Sequence, residues 1–549
     1  MCADVSQTKP EPIQFETHPS RYKHLNLRVE GAVATLGIDI KENEGMKPGY
    51  VLKLNSYDLS VDIELADAIQ RLRFEHPEVK CVIVQSDQEG IFSSGANIFM
   101  LGASTHAFKV NFCKYTNETR LSMEDAAEFS DQHYLAALNG TCSGGGYELA
   151  LACEEIILVD DRRSAVSLPE VPYLGVLPGT GGLTRVVDKR KIRRDRADVF
   201  CTLAEGMKGK RAKKWGFVDD VVPMSRFAET VTKRAQEIAG EGHTGRTGIE
   251  LEALEPNITD DGIAYNHVNL TIDDDARTAT LEIAGPQEVP ALPEGDASVE
   301  GGWYPIRMFR ELDDALVRLR FNHPNIGLVI VKTKGDSAKV LELDAQLLAN
   351  QDKWYVKETL LLMKRVLKRM DLTAKSFFSL IEEGSCFVGS FLEFALASDR
   401  TYMLDEDGVN IQMSDLNMGM FPMGNGLSRL QTRLLGEPEL YEEVKDNREP
   451  ISGMDAEDDG FITLAYDELD WDDEIRLALE ERAGLSPDAL TGMEASLRFA
   501  GPETLETKIF GRLSAWQNWI FQRPNAVGPQ GALTLYGSPE SAEFDYNRT

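Results

Sequence analysis

One pattern occurs twice along this chain, and the repeat constrains the fold more than any other feature of the sequence. YKHLNLRVEGAVATL from Tyr22 returns as YNHVNLTIDDDARTATL from Tyr265. RLRFEHPEVKCVIV from Arg71 returns as RLRFNHPNIGLVIV from Arg318, an offset of 247 residues (318 − 71). ELALACEE from Glu148 returns as EFALASDR from Glu393, an offset of 245 (393 − 148), and LGVLPGTGGLTR from Leu174 returns as MGMFPMGNGLSR from Met418. WGFVDD from Trp215 has its partner in DGFITL from Asp459. Five ordered matches at nearly constant offset indicate a duplicated domain of roughly 240 residues. The total of 549 residues agrees with that, since single cores stop growing at roughly 250 to 300 residues.

Within each copy, short β-rich runs such as VATLGIDI and CVIVQS alternate with stretches such as SVDIELADAIQRLRFEH, whose apolar residues recur at three- and four-residue spacing. The alternation predicts an α/β class with strands buried beneath helices. PQEVPALPEGDASVEGG (Pro286 to Gly302) interrupts the second copy where the first has IKENEGMKPGY, and reads as an inserted surface loop. The expected division is 1–250, 251–475 and 476–549, the last a helical segment ending in a disordered tail, PESAEFDYNRT.

Lys and Arg total 58 against 90 Asp and Glu, a net charge of −32 that disfavours nucleic acid and anionic membrane as partners. An anionic ligand needs a local basic patch, for which Arg21, Lys23, Lys41, Lys47 and Lys53 are candidates. The seven cysteines (Cys2, Cys81, Cys113, Cys142, Cys153, Cys201, Cys386) include no CxxC pair, which argues against a zinc site or a disulfide framework. The start, MCADVSQTKPEPIQFETHPS, has no apolar signal core, and no run approaches a membrane span, so a soluble cytoplasmic protein is expected.

Two glycine-centred segments of the first copy suit close approach of backbone amides to a ligand. IFSSGANIFML (Ile91 to Leu101) follows the strand CVIVQS, and Ser143-Gly144-Gly145-Gly146 runs directly into a helix-favouring stretch. Such a turn can hold a developing oxyanion, although a tight turn alone would look the same. Glu148 lies in the first helical turn after the glycines, and Glu170 follows in SLPEVPYLGVLPGTGG. Paired carboxylates can divide general-base and general-acid work when their environments differ. Taken singly, a first-turn Glu also complements the helix dipole, and Pro-Glu also opens a surface helix.

SSGANI, SGGGYELALACEE and LPEVPYLGVLPGTGGLTR, in this order and spacing, resemble the signature of the crotonase (enoyl-CoA hydratase) superfamily. The resemblance covers residues 22 to 228 well and the second copy in outline. It implies a duplicated fold of ββα spiral units with a helical C-terminal extension. By motif position it also implies that the amides of Ser94 and Gly145 form an oxyanion hole for a thioester carbonyl, with Glu148 and Glu170 as catalytic glutamates. Leu54, Asn55, Ser56, Ala96, Asn97 and Ile98 are then expected against the substrate and its coenzyme A arm, and no cofactor or metal is implied beyond the thioester substrate. In the second copy VLELD (Val340 to Asp344) replaces SSGAN, FVGSFLE keeps only Gly389, and Ser414 or Asp415 stands at the second carboxylate position beside Glu393. That half is expected to be a degenerate copy.

The whole chain, with HPSRYKHLNL and FSSGANIFMLGASTHAFKVNFCKYTNETR, resembles a narrower group of the superfamily that acts in aerobic benzoate breakdown. This implies ring opening of 2,3-epoxybenzoyl-CoA with two waters to 3,4-dehydroadipyl-CoA semialdehyde and formate. The run from His106 to Glu118 is the candidate for shaping the ring pocket, with an ordinary amphipathic helix as the alternative. An enoyl-CoA hydratase or isomerase of linear chains, and a silent scaffold, are the competing functions. A homodimer is expected, because a fused pair can bury internally what single units bury between subunits.

Overall fold

The computed structural model describes residues 11–240, 242, 243, 245–292 and 299–549; Cys2 with the rest of residues 1–10, and the middle of the Pro286–Gly302 loop, lie outside the described residues. The first half is built on six strands whose spatial order is their chain order: β1 (Leu25–Glu30), β2 (Val33–Ile38), β3 (Cys81–Ser86), β4 (His133–Leu138), β5 (Glu155–Asp160) and β6 (Asp220–Pro223). β1 and β2 form an antiparallel hairpin, and every later pairing is parallel. Helices on the crossovers cover the sheet, so β3 and β4 are nearly continuous buried apolar runs, CVIV and YLAAL.

The second half repeats the plan with eight strands in chain order: β7 (Asn257–Thr259), β8 (Gly262–Ala264), β9 (Val268–Asp273), β10 (Thr278–Ala284), β11 (Leu328–Lys334), β12 (Ser376–Ile381), β13 (Arg400–Leu404) and β14 (Leu464–Tyr466). Pairings are antiparallel through β10 and parallel from there.

The duplication extends to individual bonds. In α1 (Leu59–Phe74), Asp67 accepts from the Tyr22 hydroxyl and from Arg71 Nε at 2.8 Å. With α2 (His106–Phe129) and α3 (Gly145–Ala152) completing the site of the first half, the helix matching α1 is α4 (Tyr304–Asn322). There Asp314 accepts from the Tyr265 hydroxyl at 2.8 Å and from Arg318 Nε at 2.6 Å. Glu64 caps the amides of Lys23, His24 and Leu25, and Glu311 caps that of His267. Half-buried tyrosine–carboxylate–arginine chains recur because each anchors the first hairpin to the helix that covers it.

The halves meet along α1, α2, α4 and α5 (Trp354–Leu372). Phe74 of α1 packs in the second half's core and Val317 of α4 in the first's. Asp125 is shared by Arg73, Arg365 and Lys364, and Arg320 reaches Glu118 at 2.7 Å. A cavity of about 450 Å³ remains between the helices, lined by Asp67, Glu118, Arg310, Asp313, Arg365 and Arg369. The expected boundary near residue 250 is a packed segment: the Ile249 and Leu251 amides donate to Phe74 O and Glu75 Oε1, at 2.8 and 2.9 Å.

Two expectations for the C-terminal region change. The division after residue 475 falls inside the helix Trp471–Gly484. The tail is docked, not disordered: the Arg548 amide donates to Pro324 O at 2.8 Å, its guanidinium pairs with Glu494, and Lys114 Nζ donates to Thr549 O at 3.0 Å. The buried Glu494 carboxylate lies 3.7 Å from both Arg482 and Arg498, and PESAEFDYNRT adds a closer cation from its penultimate residue. No helix among the described residues is long and apolar enough to cross a membrane.

Candidate active site

The two glycine turns of the first half leave a small parallel sheet side by side, one after Gly90–Ser93 and the other after Gly140–Ser143. Their glycines are demanded by contact. A Cβ on Gly95 (φ +81°) would stand 2.4 Å from Gly145 N, and one on Gly145 would stand 2.2 Å from the Tyr57 hydroxyl. Because α3 begins at Gly145, that residue's amide has no acceptor within the helix.

The partner amide differs from the one expected. Ser94 N–H donates to Leu54 O at 3.1 Å and is committed to the loop. Successive amides along an extended strand face opposite edges. Ala96 pairs with Tyr57, and the next amide, Asn97 N–H, donates to Tyr57 O at 2.8 Å, so the Ala96 amide faces the other way. It lies 3.3 Å from the point a Gly145 Cβ would occupy. Ala96 and Gly145 therefore form the converging amide pair.

Glu148, one turn into α3, is 2% exposed. Its Oε1 accepts from Thr180 N at 3.0 Å and Gly182 N at 2.8 Å, and Oε2 from the Thr180 hydroxyl. Three donors and no acceptor suit the carboxylate anion. The Thr180 loop is held in turn by Arg185, which donates to Thr180 O at 3.2 Å and pairs with Glu124 at 2.8 Å, and by Asn117, which donates to Gly179 O at 3.0 Å.

Glu170 opens the short helix Glu170–Leu174 and faces the same turn, with Oε1 2.9 Å from the point a Gly144 Cβ would occupy. Its Oε2 is buried without a hydrogen-bond partner among the described residues. Burial, and then the charge of Glu148, push the Glu170 carboxyl up to about 7. Two carboxylates beside one amide pair thus sit in opposite environments, the arrangement that separates a base from an acid.

The residues expected against coenzyme A divide into two groups. Asn55 (φ +53°) is buried and spends its amide on Ile40 N, Ile38 O, Ser86 Oγ and Phe92 O. Asn97 caps the helix Ile98–Ala103 and donates to Val51 O and Ser56 Oγ. Asn55, Ser56 and Asn97 therefore build the loop. Leu54 and Ile98 stand out from it, together with Phe99, which sequence reasoning passed over and which is 77% exposed. Of the basic patch, Arg21 pairs with Glu16 and Lys41 with Asp39, Lys47 lies over the Phe108 ring, and Lys53 is exposed. The His106–Glu118 run is the start of α2, and its aromatic members pack inward: Phe112 and Tyr115 are buried, and Phe108 meets Phe321. Cys113 and Asn117 are the members that reach the Gly179 loop beside Glu148.

The second half closes its own version of this site. Gly389 (φ +52°) repeats the backbone of Gly144 (φ +54°), but Val340–Asp344 lies within the helix Ser337–Ala349, not in a glycine turn. Asp344 Oδ2 accepts from Ser390 N at 2.6 Å, the amide matching that of Gly145, and from Ser414 Oγ at 2.8 Å. Glu393 is bound by Asn417 at 2.8 Å and by Arg429 at 3.0 Å, while Asp415 pairs with Arg448 at the surface.

A family model described as enoyl-CoA hydratase/isomerase matches residues 52–272. The chain is 53% identical over 554 positions to a benzoyl-CoA-dihydrodiol lyase of Aromatoleum evansii, with 100% of each chain covered. Among solved structures it resembles an enoyl-CoA hydratase of Geobacillus kaustophilus HTA426 at 34% identity, covering 40% of this chain and 75% of that one, with a TM-score of 0.35. A Bacillus anthracis enoyl-CoA hydratase is similar at 25% identity, covering 40% and 77%, with a TM-score of 0.34.

Proposed function

This chain belongs to the enoyl-CoA hydratase/isomerase family, and from that premise we propose that it is a ring-cleaving lyase acting on an aromatic acyl-CoA. The reaction is the opening of 2,3-epoxybenzoyl-CoA with two waters to 3,4-dehydroadipyl-CoA semialdehyde and formate. The full-length match to a benzoyl-CoA-dihydrodiol lyase supports the choice of acyl group. The observation that carries the chemistry is the pairing of Glu148, fed by three donors, with Glu170, protonated up to about pH 7, beside the Ala96 and Gly145 amides.

In this reading the thioester oxygen lies between the two amides, which bind it more tightly as ring attack delocalises negative charge onto it. Glu148 takes a proton from the attacking water, and Glu170 gives its proton to the epoxide oxygen as the C–O bond opens. Leu54, Ile98 and Phe99 offer apolar surface at the mouth for the coenzyme A arm. One working site per chain, a cytoplasmic setting and a homodimer belong to the same reading.

Purified protein given 2,3-epoxybenzoyl-CoA and, separately, crotonyl-CoA tests it. Formate from the first, lost in Glu148→Gln, is the expected outcome. Hydration of crotonyl-CoA without formate from the epoxide would replace the reading with an ordinary hydratase, and turnover of neither would leave a scaffold.

A further inference from the structure

Behind the amide pair lies a buried polar chain that the steps above do not use. Arg120 of α2 donates from Nη1 to Asp62 Oδ1 at 3.0 Å and to Thr116 O at 3.1 Å, and from Nη2 to the Tyr57 hydroxyl at 2.9 Å. Thr116 Oγ1 donates to Asp62 Oδ2 at 2.8 Å. Tyr57, Asp62, Thr116 and Arg120 are all at most 4% exposed, and Arg120 Nε has no hydrogen-bond acceptor among the described residues. Such a buried pair is poor value for stability, because desolvation cancels most of the attraction and apolar residues of similar size pack as well.

The second half supplies the control. Glu124 pairs with Arg185 as Asp371 pairs with Arg429, which aligns α2 with α5 at an offset of 247 (371 − 124), the offset of Arg71 and Arg318. At that offset Asp62, Thr116 and Arg120 become Phe309, Met363 and Leu367, whereas Tyr57 remains a tyrosine, Tyr304. The half whose amide cradle is filled by Asp344 has an apolar core there, so the fold does not need the charge. The half with an open amide pair keeps it.

Its position explains why. The Tyr57 hydroxyl lies against Gly145, at 2.2 Å from the point a Cβ there would occupy, and Arg120 stands directly behind it. Resting on the reading of Ala96 and Gly145 as the amide pair, we infer that Arg120, acting through Tyr57, is a positioning residue for the thioester carbonyl. With Asp62 on its far side, it fixes the cationic end of a buried dipole behind Gly145, so that the cradle polarises the bound carbonyl more strongly than two amides alone. Arg120 and Tyr57 also lie within electrostatic reach of Glu148.

The test uses the full-length protein and benzoyl-CoA carrying carbon-13 at its carbonyl, an unreactive thioester whose C=O stretch is read by isotope-edited infrared spectroscopy. Binding to wild type lowers the stretch. Arg120→Met loses at least about half of that lowering, Arg120→Lys recovers part of it, and Glu148→Gln keeps it. On the reactive substrate, Arg120→Met lowers kcat by about 10- to 100-fold with KM within about 3-fold. Arg120→Met strands Asp62, so Asp62→Leu/Arg120→Met, which copies the apolar second half, and Tyr57→Phe, which deletes one oxygen, carry the same measurement. Full wild-type lowering in these variants overturns the inference, as does no lowering in wild type. Lowering in wild type without formate from the epoxide would remove the proposed reaction and leave the inference standing.

Discussion

Arg429 Nη1 and Glu393 Oε2 form a buried ion pair at 3.0 Å, whereas the residues at the matching positions of the first half, Arg185 and Glu148, sit on either side of Thr180. Each arginine also pairs with an acid of the neighbouring long helix, Arg429 with Asp371 at 2.6 Å and Arg185 with Glu124 at 2.8 Å. One arginine therefore neutralises the first carboxylate in the second half and leaves it to backbone and hydroxyl donors in the first.

Glu148→Gln is expected to lower kcat by about 10²- to 10⁴-fold, the usual worth of a positioned general base, and Glu393→Gln to change it less than 2-fold. Formate release from 2,3-epoxybenzoyl-CoA measures both. Equal losses in the two variants would mean that both halves catalyse.

The Glu170 carboxyl, raised to about 7 by burial and by Glu148, sets the direction of the pH dependence. Its acid form is the proton donor, so kcat/KM, which reports the free enzyme, falls tenfold per pH unit above about 7. The residual rate of Glu170→Gln should lack this alkaline limb. A wild-type profile that rises through pH 7 and 8 would reverse the assignment of acid and base.

Gly95→Ala adds a methyl group 2.4 Å from Gly145 N at a residue with φ +81°. Neither backbone can yield without opening the amide pair, so activity should fall at least about 100-fold, with a loss of about 1 to 3 kcal/mol in stability. Gly102→Ala, with open space around it in the helix Ile98–Ala103, is the control and should leave activity unchanged without lowering stability.

Asp344 is pushed up to about 6, chiefly by burial, and its Oδ1 has no hydrogen-bond partner among the described residues. The folded state therefore holds a proton that the unfolded chain has already released between about pH 4 and 6. Wild-type stability falls across that window and levels off above it, by at most about 3 kcal/mol from this group. Asp344→Asn lacks this dependence, and its advantage over wild type in urea melts should grow from pH 4 to 6. A constant difference across the window would show that Asp344 does not titrate there.

Much of this was legible in the sequence because it was written in repeats and glycines. The Tyr22 and Tyr265 motifs marked two hairpins, and SGGGYE placed Glu148 in a first helical turn. The Ser94 assignment failed because amide direction depends on strand pairing: only the contact with Tyr57 separates the committed amide of Ser94 from the inward one of Ala96. Asn55 and Asn97 were expected against coenzyme A from motif position, which does not tell a side chain that builds the loop from one that lines it. Arg120, Asp62 and Tyr57 come from three elements and have no spacing to find. The last eleven residues read as loose, yet Arg548 at Glu494, Asp545 at Asn525 and Thr549 at Lys114 dock them.

Asp344, lodged on the amide that corresponds to Gly145, has a consequence for how such a chain can change over generations. In an assembly of identical subunits, a residue that plugged the cradle would plug every copy and end the activity. Joining two copies in one polypeptide lifts that constraint, since each position can be altered in one unit while its counterpart is left alone. The second half is then free to trade its vacant cradle for internal bonds and to serve as a wall for α2, the helix that carries Arg120 and Asn117. Titration with a tight-binding thioester should accordingly saturate at one equivalent per chain.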